Sequence, residues 1–420
     1  VYLADYQEFT DKLIAFLQLE AKREAISTIY LTESRFRFIQ IASLVFAILY
    51  LPFWFWSIGK LETWLGTVRQ YLAEARSCRQ VLEKIWKSLP QQERKWAIFS
   101  FLFLIILRVV LSAYYPIQVD EAFSYVFLVN KGSLITASFY PGPNNHVGYL
   151  LACSWLNNLL PADWAMRLPS LLSLTIISPL LFLGMRRFLP ARWVWLSLLI
   201  FSFSEYSLYY STHGRGYSFQ FTCLIMLIFS WLYWCRKSVL NNAKGVHNLP
   251  QLLIVLSGAL GCYAVPSFIY FLFACGLYAW LYFPKVRKAI FWQSVGIALL
   301  TILLYLPILF LNDWATISQN PWVQPLEMSQ FLGQFAPYWA EVHGNLLGYE
   351  RVGWVMMLSV YLASWRFSAQ SEEKGIIRFL LFVSLFCYLP SLFQRVLPFT
   401  RVFWIKSLAD FMLIAWVFLA

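Results

Sequence analysis

Two adjacent acids, Asp120 and Glu121, stand just past the end of an apolar segment that runs from Trp96 to about Tyr115. A carboxylate at the centre of a bilayer costs about 2.5–3.5 kcal/mol on insertion scales, whereas at the rim it stays ionised, hydrated and available as a base. Other groups fit for chemistry stand at further segment ends: Asn144, Asn145 and His146; Arg167; His213, Arg215 and Tyr217; Arg395 and Arg401. Guanidinium forks match phosphate oxygens, so arginines gathered beside an acid at one membrane face suit an anionic head group.

The elements that must position these residues are membrane helices. Hydrophobic residues make up 60% of the 420-residue chain and charged ones 13%, and mean hydropathy is +0.59. Runs such as Leu299 to Leu311 have no period of two, which excludes a closed barrel and leaves an all-α, polytopic transmembrane helical bundle. Spans are expected at about 38–58, 96–115, 167–185, 191–211, 216–235, 250–264, 267–283, 289–311, 352–366, 377–392 and 403–420, roughly eleven in all. The net charge of +12 punctuates these segments, so it reads as a topology signal and speaks against a nucleic-acid partner.

Orientation follows from the loops. The basic stretch 59–95 belongs to the cytoplasmic side, which puts Asp120 and Glu121 outside. The apolar run His146–Leu160 has the length of an interfacial helix. Taken so, the clusters at 186–192, 236–244, 285–288 and 366–378 all fall inside, and the outside holds 116–166, 212–215, 265–267, 312–351 and 393–402. Residues 1–95 form an N-terminal unit, with an amphipathic pattern around Phe9, Leu13, Phe16 and Leu17 and one extra span, ahead of a module covering 96–420. The chain stops inside an apolar run at Ala420, as a piece of a longer protein would. The seven cysteines show no paired spacing and are expected as buried thiols.

The order of the polar motifs is similar to that of the C-type glycosyltransferases of integral membranes: Asp-Glu after the first core helix, Pro-Asn-Asn-His before an interfacial helix, Arg167-Leu168-Pro169 opening the next span, and Tyr-Tyr-Ser-Thr-His-Gly-Arg-Gly-Tyr closing the span after that. The nearest groups are the protein O-mannosyltransferase-like enzymes and the lipid A aminoarabinose transferases. The motifs cover about 96–235, and the topology extends the resemblance to about 402. It implies transfer of a sugar from a polyprenyl-phosphate donor to an acceptor outside a bacterial cytoplasmic membrane. Within it Asp120 is the general base, Glu121 a second acid that orients it, and Asn145, His146, Arg167, His213, Arg215, Tyr217, Arg395 and Arg401 are the substrate-binding set. A capping role is compatible with Asp120, with Glu121 and with Asn145. Some relatives have an acid near the Arg215 turn, where this chain has His213, so neither a second catalytic carboxylate there nor a bound divalent metal is supported.

Two further features qualify the reading. Glu205 stands about two turns inside its expected span, and Lys406 and Asp410 are spaced to pair in the last one, with Lys406 within reach of a phosphate. Each outer arginine has an alternative partner in an acid such as Glu341 or Glu350. A rival to the enzyme is an inactive structural or lipid-binding subunit with the same fold. A transporter would need polar or broken helices at the midplane, and the acids here are at the rim.

Overall fold

The computed structural model describes residues 5–17, 20, 23–25, 27, 31–41, 44, 48, 60–140, 142, 145–240, 248–311, 324–348, 352–367 and 374–419. Every regular element among them is helical. Near the start, α1 (Tyr6–Leu17) buries Ile14 against Leu31 and Phe36. The expected span at 38–58 lies mostly outside the described residues, as do Asn144 and Glu350.

The basic stretch read as a loop is largely a helix, α2 (Leu61–Ser88), laced by surface pairs such as Arg79–Glu83 at 2.8 Å. Pro90 then opens α3 (Gln91–Tyr114), which pairs antiparallel with α7 (Ala162–Arg186). An Arg186–Glu93 ion pair at 2.6 Å ties one end of that pair. Arg167 ties the other by donating to the carbonyls of Ser112, Tyr115 and Pro116, which α3 leaves free at its C-terminal end. Between them come α4 (Val119–Phe127), α5 (Ser133–Ser138) and α6 (Val147–Leu156). The ten residues of α6 rise about 15 Å, half of a hydrocarbon core of about 30 Å, so this helix is too short to cross.

Beyond α7 follow α8 (Ala191–Phe203), α9 (Glu205–Thr212), α10 (Tyr217–Leu240), α11 (Asn248–Ala264), α12 (Ile269–Tyr282) and α13 (Arg287–Leu311). The expected span 191–211 is therefore two helices. Ser204 leaves helical geometry (ψ 143°) and its hydroxyl bonds Ser207, which starts α9 afresh. Glu205, expected as a buried acid, stands exposed at that break. The remaining elements are α14 (Met328–Leu347), α15 (Gly353–Phe367), α16 (Lys374–Phe386), α17 (Leu389–Gln394), a seven-residue 3-10 helix Thr400–Lys406, and α18 (Ser407–Leu419).

Among the described residues six helical stretches are long and apolar enough to cross a membrane: Gln91–Tyr114, Ala162–Arg186, Tyr217–Trp234, Pro284–Leu309, Lys374–Gln394 and Thr400–Leu419. Three more of the expected spans correspond to apolar helices of 14 to 17 residues, α11, α12 and α15, that fall below a full crossing length. Packing sorts the long stretches. α3 and α13 turn Phe99, Leu102, Ile106, Leu299 and Leu303 outward, whereas α18 is buried and anchored by the Trp193 indole donating to the Met412 carbonyl at 2.6 Å.

Candidate functional site

The two acids divide because successive helical residues point about 100° apart. Gln118 and Glu121 form a capping box at the start of α4, with the Gln118 N–H 2.9 Å from the Glu121 carboxylate. That turns Glu121 into the protein, where it also accepts from Arg167 Nε at 3.2 Å, Arg167 Nη2 at 3.1 Å and the Gly214 N–H. Burial alone would raise its carboxyl. The Arg167 hydrogen bonds and charge, with the Gln118 and Gly214 N–H groups, outweigh burial and hold it below the ordinary range. Glu121 and Arg167 were expected as a catalytic acid and a substrate ligand; both sit almost sealed, joined to each other.

Asp120 faces the other way, its side chain 44% exposed and its carboxylate 2.8 Å from the buried Arg215 guanidinium. The turn that delivers Arg215 reads His213-Gly214-Arg215-Gly216, and both glycines are needed for close approach. A Cβ on Gly214 would lie 2.9 Å from Glu121 Oε1 and 3.0 Å from the Met166 carbonyl oxygen. One on Gly216 would lie 2.9 Å from the His146 Cβ. Ser170 adds a hydrogen bond to the Arg215 carbonyl at 3.1 Å.

Around Arg215 the expected ligands are buried and close together. His146 precedes α6 and lies edge-on to Tyr217, centroids 5.2 Å apart, while Arg215 stands 6.0 Å from the Tyr217 ring. Burial, then the positive Arg215 and Arg401, push the His146 imidazole well below its ordinary value, so it is neutral at neutral pH. Asn145 anchors its amide nitrogen on the Phe139 carbonyl at 3.0 Å, and its Oδ1 has no protein partner among the described residues. His213 stacks on Tyr209 at 4.1 Å and bonds the Tyr209 carbonyl; burial lowers its imidazole too.

The three arginines Arg215, Arg395 and Arg401 do not all converge. Arg401 acts on the same histidine as Arg215, and its guanidinium covers Phe399 at 4.7 Å. Arg395 instead ends α17 in the left-handed region (φ 55°), with its carbonyl accepting the Leu326 N–H at 2.8 Å. No described contact joins its side chain to the Asp120 cluster. Lys406 is paired with Asp410 as its spacing predicts, but it is buried, and its ammonium is taken up by Asp410, Tyr361 and His343.

Sequence reasoning missed Tyr209 and Tyr210, which stand in the field of Arg215 and Arg401 and stack against His213 and Tyr217. Their signal was the Tyr-Tyr pair one turn before the His-Gly-Arg-Gly turn. It also missed Arg108, a cation isolated in the apolar run of α3, now fully buried with Nε and Nη2 unpartnered among the described residues. Among those residues no three His, Cys, Asp or Glu side chains gather as metal ligands would. No family model, curated protein or solved structure matches the chain.

Proposed function

We propose that the chain is an integral-membrane glycosyltransferase that moves a sugar from a polyprenyl-phosphate donor to an acceptor hydroxyl at the outer face of a bacterial cytoplasmic membrane. The observation that carries this reading is the division of labour between neighbouring acids. Glu121 is consumed by Arg167, while Asp120 stays half-exposed beside the buried Arg215, with neutral His146 and Arg401 in the same field. In this reading the shorter apolar helices complete about eleven crossings.

The chemistry balances on these residues. Asp120 takes the proton of the acceptor hydroxyl, the oxygen bonds to the anomeric carbon, and the bond from that carbon to the phosphate oxygen breaks. Polyprenyl phosphate leaves with its charge held by Arg215 and Arg401. Asn145, His146, Tyr209 and Tyr217 offer hydrogen-bonding atoms for the sugar. Between α14 and residues 385–392 an apolar groove of about 410 Å³, lined by Phe331, Phe335, Leu385, Phe386, Leu389 and Leu392, is of a chemistry that suits an isoprenoid chain, although its lining includes no residue of the Asp120–Arg215 cluster.

The Asp120–Arg215 pair also favours a second reading, in which the two ions satisfy each other and the chain is an inactive subunit. Asp120→Asn separates the two. The amide keeps the shape and one acceptor oxygen for Arg215 at a half-exposed position, so the fold is kept, and loss of the base lowers transfer by about two orders of magnitude. The measurement is release of polyprenyl phosphate from labelled lipid-linked sugars by the protein in liposomes. Turnover by the variant equal to that of the wild type would reassign Asp120 to capping, and none by either across hexose and pentose donors would support the inactive subunit.

A further inference from the structure

Arg401 rides on a 3-10 helix, Thr400–Lys406, twice the length at which such helices are ordinarily stable. Something outside the segment must hold it. Three sets of contacts do so. At its entry, the Tyr338 hydroxyl donates to the Pro398 carbonyl at 2.6 Å and the Asn345 amide donates to the Thr400 hydroxyl at 3.2 Å, both from α14. In the middle, Trp404 packs on Tyr210 at 5.1 Å and on Phe221 at 5.4 Å, and its indole N–H reaches Ser207 at 3.3 Å.

The exit is the most constrained point. Lys406 is sealed from solvent, and its three ammonium hydrogens have three acceptors: Asp410, the Tyr361 hydroxyl at 3.1 Å and His343 Nε2 at 3.0 Å. His343 Nδ1 donates to the Trp339 carbonyl at 2.8 Å, which leaves Nε2 free to accept, and the Tyr361 hydroxyl donates to Asp410 at 2.7 Å. One protonation pattern satisfies all four groups. The network joins α14, α15 and α18 at the residue where the 3-10 segment becomes α-helical.

In a 3-10 helix the side chains at i and i+3 eclipse, so Arg401 leaves the segment on the same face as Trp404. From Trp404 the rings run without interruption through Tyr210 to Tyr217 and His146, at 4.5 and 5.2 Å. We infer that α14 and the buried Lys406–Asp410–Tyr361–His343 network are the positioning device of the site: they hold the 3-10 segment that carries Arg401 and Trp404 against Tyr210, one ring from the Tyr217 that meets His146 and Arg215, and Asn345 and Tyr361 are its positioning residues. The phosphate-binding consequence rests on the glycosyltransferase reading; the positioning itself does not.

Two measurements on the full chain in nanodiscs test this. With Cys78 and Cys235 replaced by serine, spin labels go on Val119→Cys and Phe399→Cys, whose native side chains are 84% and 45% exposed. The distance distribution is narrow in the parent and broadens or shifts on adding Tyr361→Phe or Asn345→Ala; an unchanged distribution in both overturns the inference whatever the site binds. Affinity for polyprenyl phosphate is the second readout. Tyr361→Phe weakens it about tenfold when Arg401 is present and adds nothing in an Arg401→Ala background. Equal loss in both backgrounds marks a merely structural effect and overturns the inference. A parent that retains no polyprenyl phosphate counts against the glycosyltransferase reading alone, and the label distances then decide.

Discussion

Replacing Glu121 with glutamine removes one charge from a place where solvent cannot compensate. Its carboxylate accepts from Arg167 twice, from Gln118 and from Gly214. An amide keeps one acceptor oxygen and turns an NH2 group toward donors. Arg167 then remains buried with only the three carbonyls at the end of α3 as partners. Breaking a buried pair from one side costs about 3–5 kcal/mol. At about 2.1 cal/mol/K per residue, unfolding 420 residues carries an entropy of roughly 0.9 kcal/mol/K, so the midpoint falls by about 3–6 °C. The assay is thermal unfolding in one detergent at a fixed scan rate, because membrane proteins unfold irreversibly. The double variant Glu121→Gln/Arg167→Gln should lose less than the two single losses combined, since neither charge is then stranded. A single variant within about 1 °C of wild type, or fully additive losses, would refute the assignment of Glu121 and Arg167 to a structural clamp.

Gly214→Ala forces a methyl against a carboxylate oxygen and a backbone carbonyl, at a cost of roughly 1–3 kcal/mol, whereas Gly142→Ala meets nothing within 4 Å and serves as the neutral control. Equal melting of the two variants would show that the turn is not squeezed. Acid sensitivity follows from two groups whose folded pKa values lie below the ordinary ones of 6.5 for His146 and 4.5 for Glu121. Each takes up a proton more readily in the unfolded chain, so the stability present above the ordinary value is lost progressively as pH falls from there through the lower folded value, beginning with the histidine and then the acid. His146→Gln should therefore flatten the wild-type decline in melting temperature that begins below pH 6.5; parallel curves would remove His146 from the explanation.

Much of the architecture was legible because it depends on local composition. A run of twenty apolar residues has to satisfy its backbone internally, so helices were determined by hydropathy alone, and the short run after His146 was too short to cross whatever surrounded it. The pairing of Lys406 with Asp410 was equally local, since residues four apart on a helix face each other. The break at Ser204 was not legible, because Phe-Ser-Glu-Tyr is compatible with a continuous helix until the serine hydroxyl finds Ser207.

The sequence by itself determined an all-helical membrane chain with acids and arginines near segment ends. Which of them share a site was decided only by tertiary structure. Asp120 and Glu121 are chemically alike and adjacent; the capping box with Gln118 gives Glu121 a local partner, but Arg167 and Gly214, 46 and 93 residues away, are what bury it and leave Asp120 outside. Arg395 and Arg401 stand in one short stretch, yet the left-handed turn at one and the stacked 3-10 segment at the other send them to different surroundings. Hydropathy reports how much of a residue wants to be buried, and that is a property of its own atoms. The face it presents, and the partner that meets it, belong to contacts between segments distant in the chain.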